Sequence, residues 1–464
     1  MNYSIIQKSQ LESMKRLDAE YYQSEFLLVN QTLRKSSIEL FQLKDLISRP
    51  VVTGSTPKKR DCKEDGTDIK FIKTDVLRDG EIIFDSADCL PVDASRRLSE
   101  PRDGDLLVTI IGATHKIVGR AARIFKDDPK MNINQNIALI RPADSVLPGY
   151  LETFVRSKFG RLELWQQSRQ TEQVNLNCRE VENIWVAVPP IPSQEKIERL
   201  VIQSRGQKLL SIKLYKQAEN LLLEGLGLKD FEIEDDLSFV ASLSDVKSVG
   251  RIDAEYFQPK YKEIFKKLSS NDNLCSQFDI IKSRNFSYTE EGEYGVIKTK
   301  QLGKRFMNFE VDSKTDGEII KRDKLPLIED KDVIFASMGV GSLGKTNIFY
   351  DFESEKHNFT IDLTLRIFRA KKGGKIQPEM LCVWLNSYVG QELIYKYVVG
   401  TSGIISIYEN YLQDFPIPFL QKSTQRKIAD LVKKSHQARK KARELLEEAK
   451  RKVEEMIERG GERR

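Results

Sequence analysis

The sequence predicts an α+β fold: two duplicated α/β domains separated by two long helices that pack as an antiparallel coiled coil. Three observations predict it. Motifs in the first half recur in the same order in the second, at offsets of 225 to 235 residues. Within each copy, short apolar and β-branched runs alternate with Asp, Gly and Pro turn residues. Each copy then exits through a proline-containing segment into a long run with a seven-residue beat.

The duplication is carried by six matches. RLDAEYYQ at 16–23 returns as RIDAEYFQ at 251–258, and IKT at 72–74 returns at 297–299. DLLV from Asp105 is echoed by DVIF from Asp332, and SKFGRLEL from Ser157 by SYVGQELI from Ser387. IWVAVPPIP from Ile184 is answered by FPIPF from Phe415, and QEKI from Gln194 by QRKI from Gln425.

Taken in order, residues 1–190 form the first domain. IKFI, EIIF, DLLVTII and NIALI read as strands, with helical character in VNQTLRK and in 148–167. Residues 191–228 form a central helix, capped by Ser193 and stopped near Gly225 by GLGL. Residues 229–420 repeat the domain. Residues 421–464 form a distal helix, capped by Ser423 and stopped by Gly460-Gly461, with a basic tail.

Ile197, Ser204, Ser211 and Ala218 share one phase of the central helix; Ile428, Ser435, Ala442 and Ala449 share the same phase of the distal one, which continues to Met456. Leu200, Leu214 and Leu221 flank the first series, and Leu431, Ala438 and Leu445 the second. Small and aliphatic residues every seventh position predict a seam between the two helices, with the small ones allowing close approach.

Composition narrows the class of protein. With 464 residues and 40% apolar content, there is material for two or three domain cores. No stretch approaches the roughly 18 apolar residues of a membrane span. No signal-peptide pattern opens the chain, and five scattered cysteines suit reduced thiols in a cytoplasm. Three well-separated histidines leave little for a histidine-based metal site. The net charge of +6 is concentrated at the end: from Lys422 onward there are 15 basic residues against 8 acidic, and before it 60 against 61. Bulk charge is therefore compatible with nucleic-acid binding without arguing for it.

Catalytic signatures are absent with one exception. GVGSLGKT, running from Gly339 to Thr346, satisfies the letters of a phosphate-binding loop. Such a loop needs a helix directly after it, because the helix N-terminus holds the phosphate. NIFYDFES comes next instead and reads as a strand, so the segment is expected to be a glycine-rich hairpin. No N-P-P-Y or D-P-P-Y tetrapeptide, GxSxG, HExxH or dinucleotide fingerprint is present. A duplicated scaffold without a reaction centre has the profile of a recognition module.

With those motifs in hand, the chain resembles the specificity subunits of type I restriction–modification systems across essentially its whole length. RLDAEYYQ and its copy, TGSTPKK at 53–59, and the exits VPPIPSQEKI at 188–197 and IPFLQKSTQRKI at 417–428 carry the likeness. The second half has no copy of TGSTP. The resemblance implies two target-recognition domains, each reading one half of a split, asymmetric site on double-stranded DNA. It implies that the two helices bind two modification (methyltransferase) subunits, with restriction subunits completing the system. S-adenosylmethionine, ATP and Mg would then act on those partners, leaving this chain non-catalytic and without a cofactor or metal of its own.

Base readout needs donors and acceptors on loops that can enter a groove, and cations that fix the phosphate register. In the first domain, Thr56, Lys58, Lys59, Arg60, Lys73, Thr74, Lys116, Arg169 and Gln170 sit on such loops. In the second they are Arg284, Asn285, Lys298, Lys300, Lys304, Arg305 and Lys345. Arg16 with Asp18, and Arg251 with Asp253, are expected to pin the segment at the start of each half. Two other readings stay open on sequence: a nucleotide-dependent enzyme built on the glycine-rich loop, and a coiled-coil scaffold that binds protein.

Overall fold

The computed structural model describes residues 4–8, 16–56, 69–91, 99–114, 116–170, 174–234, 236–268, 272–354, 358–400 and 405–462. The chain divides into two compact units, residues 1–206 with 441–464, and residues 207–440. Both mix helix and strand, and each takes one part of each long helix.

The first unit is built on an antiparallel sheet in the order Val52–Thr53, Ile137–Ile140, Leu106–Thr109, Ala121–Arg123. Leu106 and Val108 face one core, with Tyr150 and Phe154 from the helix Pro148–Arg156. Leu107 faces a second core against Ile72 and Ile133. Alternation on a sheet covered on both faces explains why this strand is apolar without interruption. A smaller sheet places Ile69–Ile72 parallel to Met131–Ile133.

The second unit repeats the plan. Phe278–Lys282, Leu365–Ala370, Val333–Ala336 and Thr346–Ile348 form the main sheet, and Tyr294–Ile297 runs parallel to Phe359–Ile361. Val333 and Phe335 enter one core, Ile334 and Ala336 the other.

The recurring motifs have structural work in both units. Asp105 heads its strand and is held by Arg141 at 2.7 Å; Asp332 is held by Arg369 at 2.7 Å. Ser157 and Ser387 cap the helices Lys158–Gln167 and Tyr388–Lys396, accepting from the N–H of Gly160 and Gly390. A Cβ at Gly160 would lie 2.3 Å from the Phe154 carbonyl oxygen, and one at Gly390 2.0 Å from that of Trp384. This Ser-x-x-Gly corner is what SKFG and SYVG encode. Gln194 accepts from Leu147 N–H and donates to the Pro189 carbonyl, as Gln425 does with Gln377 and Leu420.

The long helices are Ile191–Gly225 and Lys422–Glu462. The central one begins at Ile191, so Ser193 lies inside the first turn and donates its N–H to the Pro190 carbonyl. The distal one continues through Gly460-Gly461. Gly460 serves close approach there: its carbonyl accepts from Ser37 N–H, and an added Cβ would sit 2.7 Å from Ser36 Oγ.

The seven-residue seam forms. In the first unit, Ile197 shares a core with Ala449, Val453 and Ile457, and Ser204 Oγ donates to the Ala442 carbonyl at 2.8 Å. In the second, Ser435 Oγ donates to the Ser211 carbonyl at 2.7 Å, and Ala218 shares a core with Ile428 and Val432. Each step of seven forward along one helix meets a step of seven backward along the other, so the helices pair antiparallel in both units.

The flanking leucines Leu200, Leu221 and Leu431 pack half-buried against the cores, as does Met456 at the end of the main series, and Leu214 is half-buried. The residues one position on, Val201, Tyr215, Leu222, Val432 and Ile457, are fully buried. A helix advances 3.6 residues per turn, so the i+4 neighbour completes the stripe as readily as i+3. Leu445 is buried as expected.

Candidate nucleic-acid interface

In each unit four segments cross at one point through backbone hydrogen bonds. In the first, Asn134 N–H donates to the Ile72 carbonyl, Ile110 N–H to Asn136, and Leu176 N–H to Ile110, at 3.1, 2.9 and 2.9 Å. In the second, Asp362 N–H donates to Ile297, Ser337 N–H to Thr364, and Ile407 N–H to Ser337, at 3.1, 2.9 and 3.0 Å. Main-chain bonding fixes the crossing whatever side chains the loops carry. The tips beyond it are thereby free to differ, which suits readout from a common frame.

Two loops leave each crossing side by side. In the first unit, Ile111–Gly112 pairs with Val174–Asn175, which pairs with Arg169–Gln170. Lys116 and Arg169 are thus on neighbouring loops. In the second unit, Met338 bridges Ser406, which also bridges Val399, and Gly339 N–H donates to the Ile405 carbonyl at 2.9 Å. GVGSLGKT is the other of these two loops. Strand Val333–Ala336 returns through it as Thr346–Ile348 in a hairpin, with Gly339, Gly341 and Gly344 at positive φ.

Several predicted residues gather at the crossings. Thr56 hydrogen-bonds Gln135 in the turn that holds Asn134 and Asn136. Lys73 and Thr74 come directly after Ile72, with Lys73 paired to Asp88 at 2.8 Å. Lys298 comes directly after Ile297, its ammonium 4.0 Å from the ring centroid of Tyr288. Arg169 is exposed and pairs with Glu180 at 3.1 Å. Lys116, Asn285 and Lys304 are exposed and Lys345 half-buried, and none of their side chains bonds another group among the described residues. Arg284 is exposed, with the charge of Asp323 near it.

Others point elsewhere. Lys300 is tied to Asp312. The turn carrying Arg305 docks on the long helices: Arg305 lies 5.9 Å from the Tyr215 ring, and Phe306 lies 6.0 Å from Tyr215 and 5.0 Å from His436. Lys58, Lys59 and Arg60 lie outside the described residues, as do His115 and Gln173; of Gln170 only the backbone is described.

Sequence reasoning missed the turn 134–136, its counterpart 362–364, the bridged residues Val399 and Ser406, and Tyr288, which is 49% exposed. The duplication offset was the available signal for Val399 and Ser406: that is where the pairing of Arg169 with Asn175 maps.

The Arg-x-Asp-Ala-Glu-Tyr segments are built alike. The Arg16 guanidinium grips Asp18, lies over the Tyr21 ring at 4.6 Å and donates to the Gln167 carbonyl at 3.0 Å. Arg251 grips Asp253, lies over Tyr256 at 4.7 Å and donates to the Val398 carbonyl at 2.8 Å. These hydrogen bonds hold the carboxyls of Asp18 and Asp253 below their ordinary range. A return bond completes each grip: Gln166 donates to the Tyr21 carbonyl at 3.1 Å, and Lys396 to that of Tyr256 at 2.6 Å.

Lys396 introduces a pH dependence that Gln166 lacks. Burial, reinforced by the nearby Arg251 charge, lowers its ammonium to about 8, against 10.5 for an ordinary lysine. The folded unit releases this proton before the unfolded chain does, so stability rises as pH climbs from about 8 toward 10.5. Urea midpoints at about pH 7 and about pH 9.5 should show that rise in the natural chain relative to Lys396→Gln. Equal pH slopes for the two proteins would contradict it.

No family model matches the chain. Among curated proteins, the specificity subunit of the type I restriction enzyme EcoBI from Escherichia coli is 30% identical over 158 residues. The chain is similar to a type I specificity subunit. That match takes in 33% of this chain and 32% of the specificity subunit, so the chain spans about one third of that relative's length. Solved structures of type I S subunits match over most of their length, at low identity and low TM-score. The one from M. genitalium has 12% identity and a TM-score of 0.39, covering 91% of this chain and 96% of its own. The one from Thermoanaerobacter tengcongensis has 15% identity and a TM-score of 0.30, covering 90% and 96%.

Proposed function

We propose that this chain is the specificity subunit of a type I restriction–modification system. It reads a split, asymmetric site on double-stranded DNA, one half per unit, and positions two methyltransferase subunits, with restriction subunits, on that site. The observation that carries this reading is the duplicated crossing, where the same main-chain bonds present two adjacent loops with different tips in each unit. The sequence likeness to the EcoBI subunit supports it.

The chemistry is division of labour. Thr56, Gln135 and Asn136 in one unit, and Asn285 with Tyr288 in the other, offer donors, acceptors and a ring to base edges, while buried Asn134 holds the turn by accepting from Asn136 N–H. Lys116, Lys298 and Lys345 neutralise phosphates and set the register, joined by Lys73 and Arg169 on exchanging Asp88 and Glu180 for a phosphate. The chain performs no reaction of its own. Methyl transfer from S-adenosylmethionine and ATP-driven cleavage with Mg belong to the partners, in the cytoplasm, and the paired helices are the surface those partners hold.

Mapping of methylated bases tests this. Cells expressing the modification subunits together with this chain should carry methylation at one bipartite motif, and cells lacking the chain none. Methylation that persists at the same motif without the chain would remove its assigned role. Methylation of DNA by the chain alone would make it an enzyme.

A further inference from the structure

The function proposed above leaves open what aims the recognition loops, and the paired Arg-x-Asp-Ala-Glu-Tyr segments lie outside both crossings. We infer that Arg16 and Arg251 are positioning residues, each setting the reading loop of its own unit through the C-terminus of the helix that carries that loop. This inference rests on the reading of the two units as independent half-site readers.

The last carbonyls of a helix have no partner within it, and they carry the negative end of its dipole. Arg16 takes the Gln167 carbonyl at the end of the helix Lys158–Gln167, and Arg251 takes Val398, just beyond Tyr388–Lys396. Each guanidinium is held on three sides: by the aspartate two residues on, by the tyrosine ring over its face, and by that carbonyl. Two of these holders, the aspartate and the tyrosine, belong to the arginine's own segment, so that segment orients the guanidinium toward the helix end.

The path from grip to loop is short. Arg169–Gln170 begins two residues after Gln167, and its partner Val174–Asn175 is paired to the loop at Ile111–Gly112. Val399 is the next residue after Val398, and its bridge partner Ser406 is bridged to Met338. A shift of the helix end therefore reaches both loops of that unit. Neither arginine contacts the turn 134–136 or 362–364, so each acts through the stem.

An alternative without positioning is general stabilisation, and the duplication separates the two. Lysine keeps the charge but has no planar fork to match aspartate and carbonyl together. With the modification subunits co-expressed, Arg16→Lys should relax base choice in one half of the methylated motif only. Methylation at sites with one mismatch in that half should rise roughly tenfold, the span of a typical mismatch penalty. Arg251→Lys should relax the other half, and Asp18→Asn and Asp253→Asn, which loosen the same grips from the carboxylate side, should reproduce each arginine variant even where that variant folds poorly.

Equal relaxation of both halves by Arg16→Lys, or an unchanged motif from a folded variant, would overturn the inference. If the natural chain directs no bipartite methylation, the functional reading itself falls, and this inference with it.

Discussion

Ser435→Leu lowers the thermal unfolding midpoint of the chain by roughly 5–20 °C. Ser435 and Ser211 are 0% and 1% exposed, their hydroxyl oxygens 3.2 Å apart, with Ser435 also bonded to the Ser211 carbonyl. A leucine there has no space. Forcing extra methylenes into a packed site costs about 1–3 kcal/mol. Leaving the buried Ser211 hydroxyl without its partner adds about 1–3 kcal/mol. Together these are a large part of a typical domain's stability of about 5–15 kcal/mol. Ser435→Ala, which removes both hydrogen bonds of that hydroxyl but adds no volume, should cost about 1–3 kcal/mol, less than the leucine. Lys433→Leu, at an exposed position two residues away, should change stability by no more than about 0.5 kcal/mol. Calorimetry of the three variants checks the series. A leucine tolerated at 435 would mean that the helices do not approach closely along the small residues.

What was legible in the sequence depended on whether a residue's role is set locally. The beat of Ile197, Ser204, Ser211 and Ala218 reports the seam because a helical period maps directly onto one face. Which leucines flank the seam was less legible, since i+3 and i+4 share that face and only packing selects Val201 over Leu200. Ser-x-x-Gly and the paired arginine–aspartate motifs stood out because they recur; the first is a local corner, whereas each arginine acts on a carbonyl more than 100 residues away. The distal helix outran its expected stop because Gly460 is needed for contact with Ser36 and Ser37.

The interface was legible only in outline. A lysine on a loop looks the same in sequence whether its side chain bonds no other group among the described residues, like Lys116, or is captured by an aspartate, like Lys300. Arg305 sits in a turn that reads as exposed, yet the ring beside it comes from Tyr215 on a helix some 90 residues earlier. The turns 134–136 and 362–364 carry polar residues of the kind found in any solvated turn. Their importance lies in main-chain bonds, which no side chain announces. The residues after the glycine-rich loop settled its nature: a β-branched and aromatic run continues as a strand, and a phosphate cradle needs a helix there.

The second large effect comes from each unit having its own sheet, crossing, loops and anchor. Exchanging residues 1–190 for the equivalent part of a relative of different specificity replaces the loops of the first unit. It keeps both long helices and the whole of residues 207–440. No hydrogen bond of the second crossing involves the exchanged residues, so the frame that holds the loop 339–345 beside Ile405 and Ser406 is untouched. With each mismatched base pair costing about 1–3 kcal/mol, a new first half-site should replace the old one almost completely in the methylated population. The deciding measurement is genome-wide mapping of methylated bases in cells carrying this chimera with its modification subunits. The account predicts a motif in which one half takes the relative's bases and the other keeps the bases of the natural chain. New bases in both halves, or the original motif unchanged, would contradict the claim that each unit reads its own half of the site.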